Sequence, residues 1–100
     1  MAIDRYCFAR LRDELATPTG RAEVVARCRA VLTAAPESLA VSVGTPADDS
    51  AKSWDVSLVV RCEDLGALEA LLARPEVMAL LDDWLPARAV VVKAWHFEVV

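Results

Sequence analysis

The stretch Ala89-Val-Val-Val-Lys-Ala-Trp-His-Phe-Glu-Val-Val100 carries the decision about the fold. It contains no Gly or Pro and is rich in β-branched and aromatic residues, the composition of a strand. Successive side chains of a strand point to opposite faces. One face therefore carries Val90, Val92, Ala94 and His96, and the other Val91, Lys93, Trp95, Phe97 and Val99. A sheet with one face in water alternates apolar and polar residues, whereas this strand is apolar on both sides. Residues 54–62 repeat the pattern, with Trp54, Val56, Leu58 and Val60 pointing one way and Ser57 and Val59 the other. Such a sheet needs two covers. Helices supply one, and a second copy of the chain is the economical other, because Trp95, Phe97 and Val99 exposed together form an apolar patch of the size found at interfaces.

Upstream of these strands the chain supplies the helices. Thr17-Pro18 is a helix start, since a threonine oxygen caps free N–H groups and proline is preset for the first turn. Val24, Cys28, Val31, Leu32 and Ala35 then follow at i, i+4, i+7, i+8 and i+11, the stripe of an amphipathic helix that Pro36 ends. Leu65, Leu68, Leu71 and Leu72 mark a second helix. Pro75 opens a further helical piece in which Val77, Leu81, Trp84 and Leu85 share a face, and Pro86 is expected to close it. Residues 3–12 and 39–44 complete the set of strands. On the first, Ile3, Arg5, Cys7, Ala9 and Leu11 share the helix-facing parity, which leaves Tyr6 and Phe8 on the outer face with Trp95, Phe97 and Val99 as the expected dimer interface.

The order is strand, helix, strand, strand, helix pair, strand. Right-handed crossovers in two β-α-β units place four strands in one antiparallel sheet with every helix on one face, the ferredoxin-like βαββαβ arrangement of the α+β class. One hundred residues fit a single domain over 1–100. A domain this small buries a modest share of its surface, and dimerisation relieves that limit.

Composition narrows the function classes. A hydrophobic fraction of 56% exceeds the usual ~45–50%. The longest uncharged run, residues 38–47, contains Gly44 and Pro46 and falls well short of the ~20 residues of a spanning helix. No signal-peptide pattern opens the sequence, so a cytoplasmic protein is expected. Cys7, Cys28 and Cys62 are odd in number, lack CxxC spacing and sit in apolar patterns, as reduced core thiols do. A net charge of −4 argues against a nucleic-acid partner. No phosphate loop, GxSxG, HExxH or metal-ligand cluster occurs, so no cofactor is expected.

Taken in order, the first strand ending Arg10-Leu-Arg-Asp-Glu14, Val41-Ser-Val-Gly44, Asp55-Val-Ser-Leu-Val-Val60 followed by Glu63-Asp64-Leu65, the Arg74-Pro75 break and the closing His96-Phe-Glu-Val99 resemble the stress-responsive A/B barrel family, part of the dimeric α+β barrel superfamily. The resemblance spans nearly all of residues 3–99. It implies a homodimer in which two four-stranded sheets face each other, with a small apolar cavity between the sheet and helices of each subunit. Some members are plant polyketide cyclases that rely on a first-strand histidine, a second histidine after the proline, and a tyrosine. Those positions fall on Arg5, Val77 and Leu71 here. Valine and leucine cannot move protons, and arginine stays protonated. The cyclase roles are absent, while the cavity can persist around Arg5, Cys7, Leu71 and Val77 as the expected ligand-binding residues.

Among groups able to do chemistry, His96 is the only histidine and the one candidate catalytic residue. It can serve as a general base or make a polar contact at the strand end. Arg5 can hold a carboxylate or phenolate through two parallel hydrogen bonds; alternatively it pairs with Glu76 or Asp82, or reaches out to the rim. Asp82 and Asp83 point about 100° apart on a helix and form no shared acid/base site. Arg21, Arg27 and Arg29 read as a solvated face, with Glu23 four residues ahead of Arg27 in the stabilising orientation. Three functions follow: a homodimer of undetermined activity binding a small apolar or aromatic ligand; a cofactor-independent enzyme, monooxygenase-like or cyclase-like, with altered catalytic residues; or a structural oligomeric domain without a ligand.

Overall fold

The computed structural model describes residues 1–100. Strand β1 (Ile3–Leu11) leads through a 3-10 turn (Asp13–Leu15) into helix α1 (Pro18–Ala34); β2 (Ala40–Gly44) and β3 (Val56–Cys62) follow, separated by a second short turn (Asp49–Ala51). Helices α2 (Leu65–Leu72) and α3 (Pro75–Met78), a π-helical turn (Ala79–Trp84) and α4 (Leu85–Arg88) then deliver the chain to β4 (Ala89–Glu98). Thr17 caps α1 by accepting the Gly20 N–H at 3.0 Å, with Pro18 in the first turn. Asp64 caps α2 in the same way through the Ala67 N–H at 2.8 Å.

The strands form one antiparallel sheet in the order β2-β3-β1-β4, the ferredoxin-like arrangement expected from the sequence. Its pairing lays side chains in rows across the sheet. Val43, Leu58, Cys7 and Ala94 share one helix-facing row, and Val41, Val60, Arg5 and His96 the next. The outer face carries the row Ser42, Val59, Tyr6 and Trp95, flanked by Arg61, Asp4 and Phe97. A core of 17 residues lies between sheet and helices, built on Cys7, Leu11, Val24, Cys28, Leu32, Leu71, Val77 and Leu85 among others. All three cysteines are buried free thiols. Burial pushes Cys28 up to about 11, the neighbouring Cys7 adding to the effect. No helix is long and apolar enough to cross a membrane.

Several local expectations are corrected. The helical run after Pro75 buries Val77, Leu80 and Leu85, with Leu81 and Trp84 only half-buried. The π turn supplies the reason: its wider spacing rotates everything beyond it relative to an α-helical register. Pro86 does not end the run but sits in the first turn of α4, where its missing N–H is harmless. The β1–β4 register shifts between Arg10 and Leu11. That bulge turns Val90 outward at 62% exposure and gives the buried position to Ala89. Trp54 precedes β3, so strand parity does not govern it; its ring packs on Phe8, 5.7 Å away, on the outer face.

Candidate functional site

Arg5 enters the helix-facing side of the sheet because β1 alternates cleanly: Ile3, Cys7, Ala9 and Leu11, with the same parity, are at most 4% exposed. Arg5 itself is half-buried, and its Nε is buried with no hydrogen-bond partner. None of the four ion pairs in the chain includes it. The expected pairing with Glu76 or Asp82 does not form; Glu76 instead lies 3.9 Å from Arg74. Directly across the β1–β4 ladder stands His96. The helices leave the far half of β4 bare even on their own side, so Ala94 and His96 are exposed next to Arg5.

The electrostatics of this pair are one-sided. Partial burial and the Arg5 charge together hold the His96 imidazole below its ordinary value, so it is neutral at neutral pH. Burial pushes the Cys7 thiol up, opposed by the nearby guanidinium. Cys7, Leu71 and Val77, expected beside Arg5 around a ligand, are 2%, 0% and 0% exposed and belong to the packed core. None of the main surface grooves reaches them or Arg5. The structure thus joins Arg5 to His96, a pairing that strand parity alone left unspecified, and leaves Arg5 and His96 as the parts of the set in reach of solvent.

The opposite face of the sheet is aromatic. Tyr6 meets Phe97 edge-on at 5.6 Å, and Phe8 meets Trp95 at 5.9 Å as well as Trp54. Tyr6, Phe8, Trp95, Phe97 and Glu98 border a concavity of about 560 Å³. Trp95 and Phe97 are 45% and 57% exposed, while Val99 lies just past the strand, half-buried, its N–H donating to the Ala2 carbonyl at 2.9 Å. Beside them Asp4 is held by both its oxygens on Arg61 (2.7 and 2.9 Å), which keeps its carboxyl below the usual range.

Two polar constructions escaped the sequence reading. Arg21, expected on a solvated face, donates to Asp55 Oδ1 from Nε and Nη2 at 3.0 and 2.8 Å, while Asp55 Oδ2 accepts the Leu11 N–H at 2.7 Å. Helix α1, β1 and the entry to β3 are tied by this one carboxylate. Arg74 grips Glu37 through two hydrogen bonds of 2.5 and 2.8 Å. An Asp at the very start of an apolar strand, Asp55 before Val56-Ser-Leu-Val-Val60, was the available signal for the first. The second joins residues 37 apart in sequence and leaves no local sign.

A search of curated protein sequences returns no match. Among solved structures, a dimeric ferredoxin-like protein of unknown function from Thermobifida fusca superposes with a TM-score of 0.82 at 21% identity, over 99% of this chain and 92% of that one. The hydroxynitrile lyase of Passiflora edulis gives 0.83 at 12%, over 99% and 94%. A cofactor-independent oxygenase of Streptomyces nogalater, solved as a point mutant, gives 0.76 at 15%, over 98% and 92%. At these identities the likeness establishes the fold. The sequence profile of the stress responsive A/B barrel domain, in turn, matches residues 3–95. With nearly its whole length matched and the fold shared, the chain belongs to the stress-responsive A/B barrel family.

Proposed function

We propose that the chain is a homodimer that holds a small aromatic acid on the helix side of its sheet, with the ligand's carboxylate or phenolate on Arg5 and its ring toward Ala94 and His96. The observation that carries this reading is the Arg5 guanidinium, half-buried yet without an anionic partner in a chain whose other half-buried arginines are all engaged, Arg21 and Arg74 by a carboxylate each and Arg88 by the Trp84 ring and carbonyl. A charge in that setting is best satisfied by an anion brought from outside. Cys7, Leu71 and Val77 then serve as the packed apolar backing of the site. The partner subunit covers the aromatic face around Tyr6, Phe8, Trp95, Phe97 and Val99; dimeric neighbours of the same fold support that arrangement.

Thermal unfolding with salicylate and benzoate tests the site, because a ligand that binds only the native state raises the midpoint. Wild type is expected to shift with both acids and not with benzyl alcohol, and Arg5→Met to lose the shift. No shift with wild type, or an equal shift in Arg5→Met, rejects the site. Light scattering tests the dimer: a mass of 10.9 kDa at micromolar concentration rejects it, and Trp95→Ser with Phe97→Ser is expected to produce that monomer. Each ring removes roughly 1.5–3 kcal/mol of burial per subunit.

A second reading, a cofactor-independent enzyme, is favoured by the neutral His96 beside a fixed cation, where an anion and its proton acceptor would be held together. Neighbours of the fold include an oxygenase and a lyase. Oxygen uptake with a polyhydroxylated aromatic, abolished by His96→Gln, supports it; uptake unchanged by that substitution rejects a role for His96.

A further inference from the structure

A second concavity lies on the outside of the helical layer, between α1 and the run from α3 through the π turn. It encloses about 540 Å³ and is lined by Arg27 and Val31 on one wall and by Glu76, Ala79, Leu80, Asp83 and Trp84 on the other. That volume is within the range of small-molecule clefts, which often form between helices. The π turn brings Trp84 to this groove instead of leaving it in the core register that the sequence suggests, and π insertions recur at functional sites. The Trp84 ring is held by Arg88, whose guanidinium lies 3.9 Å from the ring centre and donates to the Trp84 carbonyl at 3.0 Å.

The charges of the groove are arranged across it and do not neutralise each other. Arg27 stands 5.6 Å from the Trp84 ring and takes part in no ion pair; the Glu23–Arg27 contact expected from their spacing does not form. Asp83 is likewise without a cationic partner, and Glu76 has only its 3.9 Å contact with Arg74. An anion entering the groove would meet Arg27 but face two carboxylates. A cation would meet the carboxylates but face Arg27. A ligand that carries both charges, with an apolar body between them and Trp84, satisfies both walls at once.

We propose that this groove binds a free amino acid with an aromatic side chain, its carboxylate on Arg27, its ammonium group between Glu76 and Asp83, and its ring against Trp84 and Leu80. The site is separate from Arg5 and does not depend on the aromatic-acid reading.

Nitrogen-15 NMR of the whole chain titrated with L-phenylalanine tests the proposal, with phenylacetate and phenethylamine as probes that each keep one charge. The expected result is a saturable shift of the Trp84 indole N–H and of the Ala79 and Leu80 amides. Each single-charge probe, and each of Arg27→Gln and Asp83→Asn, should bind roughly tenfold more weakly, equivalent to about 1.4 kcal/mol. Arg5→Met should bind as wild type. Both groove variants alter exposed side chains, and the spectrum itself reports that they fold. Absence of saturation at tens of millimolar, equal binding of phenylacetate and phenylalanine, or shifts centred on Arg5 and His96 instead of Trp84 would each overturn the proposal.

Discussion

Replacing Arg5 by methionine should make this protein more stable. An unsatisfied polar atom in a buried position costs about 1–3 kcal/mol, and Arg5 Nε is such an atom. Methionine keeps much of the side-chain length, is apolar and adapts to irregular gaps, so it removes the penalty while retaining the contacts of the stem. Part of the guanidinium reaches solvent, which argues for the lower half of that range, a gain of about 1 kcal/mol. In a domain of this size 1 kcal/mol corresponds to roughly 4–8 °C in Tm. Calorimetry at one fixed protein concentration is the assay, since the midpoint of the proposed dimer would depend on concentration. Arg74→Met is the matched control: the same chemical change at an arginine bonded twice to Glu37, which should lower stability, though modestly, because the side chain is 36% exposed and the pair is screened by solvent. If Arg5→Met loses stability as Arg74→Met does, Arg5 is satisfied by a contact within the chain, and the case for an external anion goes with it. A gain combined with loss of aromatic-acid binding would make Arg5 a residue held against stability for function.

Three other outcomes follow from the same geometry. Asp55→Ala orphans the Leu11 N–H and the Arg21 guanidinium together and should lower the unfolding free energy by about 2–4 kcal/mol in urea titration; a loss under about 1 kcal/mol would mean that water replaces the carboxylate. Gly20→Ala places a Cβ 2.0 Å from the Leu15 carbonyl oxygen, so the start of α1 must shift, and a stability loss of about 1–3 kcal/mol is expected where an exposed helical Gly→Ala would stabilise. His96 should titrate below its ordinary value by NMR and move upward in Arg5→Met, because burial then acts without the neighbouring charge. Since the unfolded chain takes up this proton at higher pH than the folded one, His96 makes stability fall as pH drops through about 6.5 and below; a wild-type slope unchanged in His96→Gln contradicts that.

The sheet was legible because alternation is a local property: Ile3, Cys7, Ala9 and Leu11 on one side and Tyr6 and Phe8 on the other follow from β1 alone. Legibility ended where the backbone departs from a regular period. The π turn moved Leu80 into the core in place of Leu81, and the bulge opposite Arg10 and Leu11 turned Val90 out, each by a shift that residue types do not announce. Arginines were read least well, because their destination depends on what tertiary packing brings near. Arg21 found Asp55, Arg27 found the Trp84 ring, and Arg5 found no carboxylate at all. Only the first strand's parity hinted that Arg5 differs from the rest.

The uneven distribution of aromatic rings gives the molecule two optical reporters. Five of its six aromatic residues, including Trp54 and Trp95, interlock on the outer face, whereas Trp84 stands alone on the far side of the helical layer under a guanidinium. In the proposed homodimer, near-ultraviolet circular dichroism from the coupled rings should therefore follow subunit association. Fluorescence from a chain in which Trp84 is the one remaining indole should follow the helical layer. On that proposal, dissociation and unfolding give separate signals.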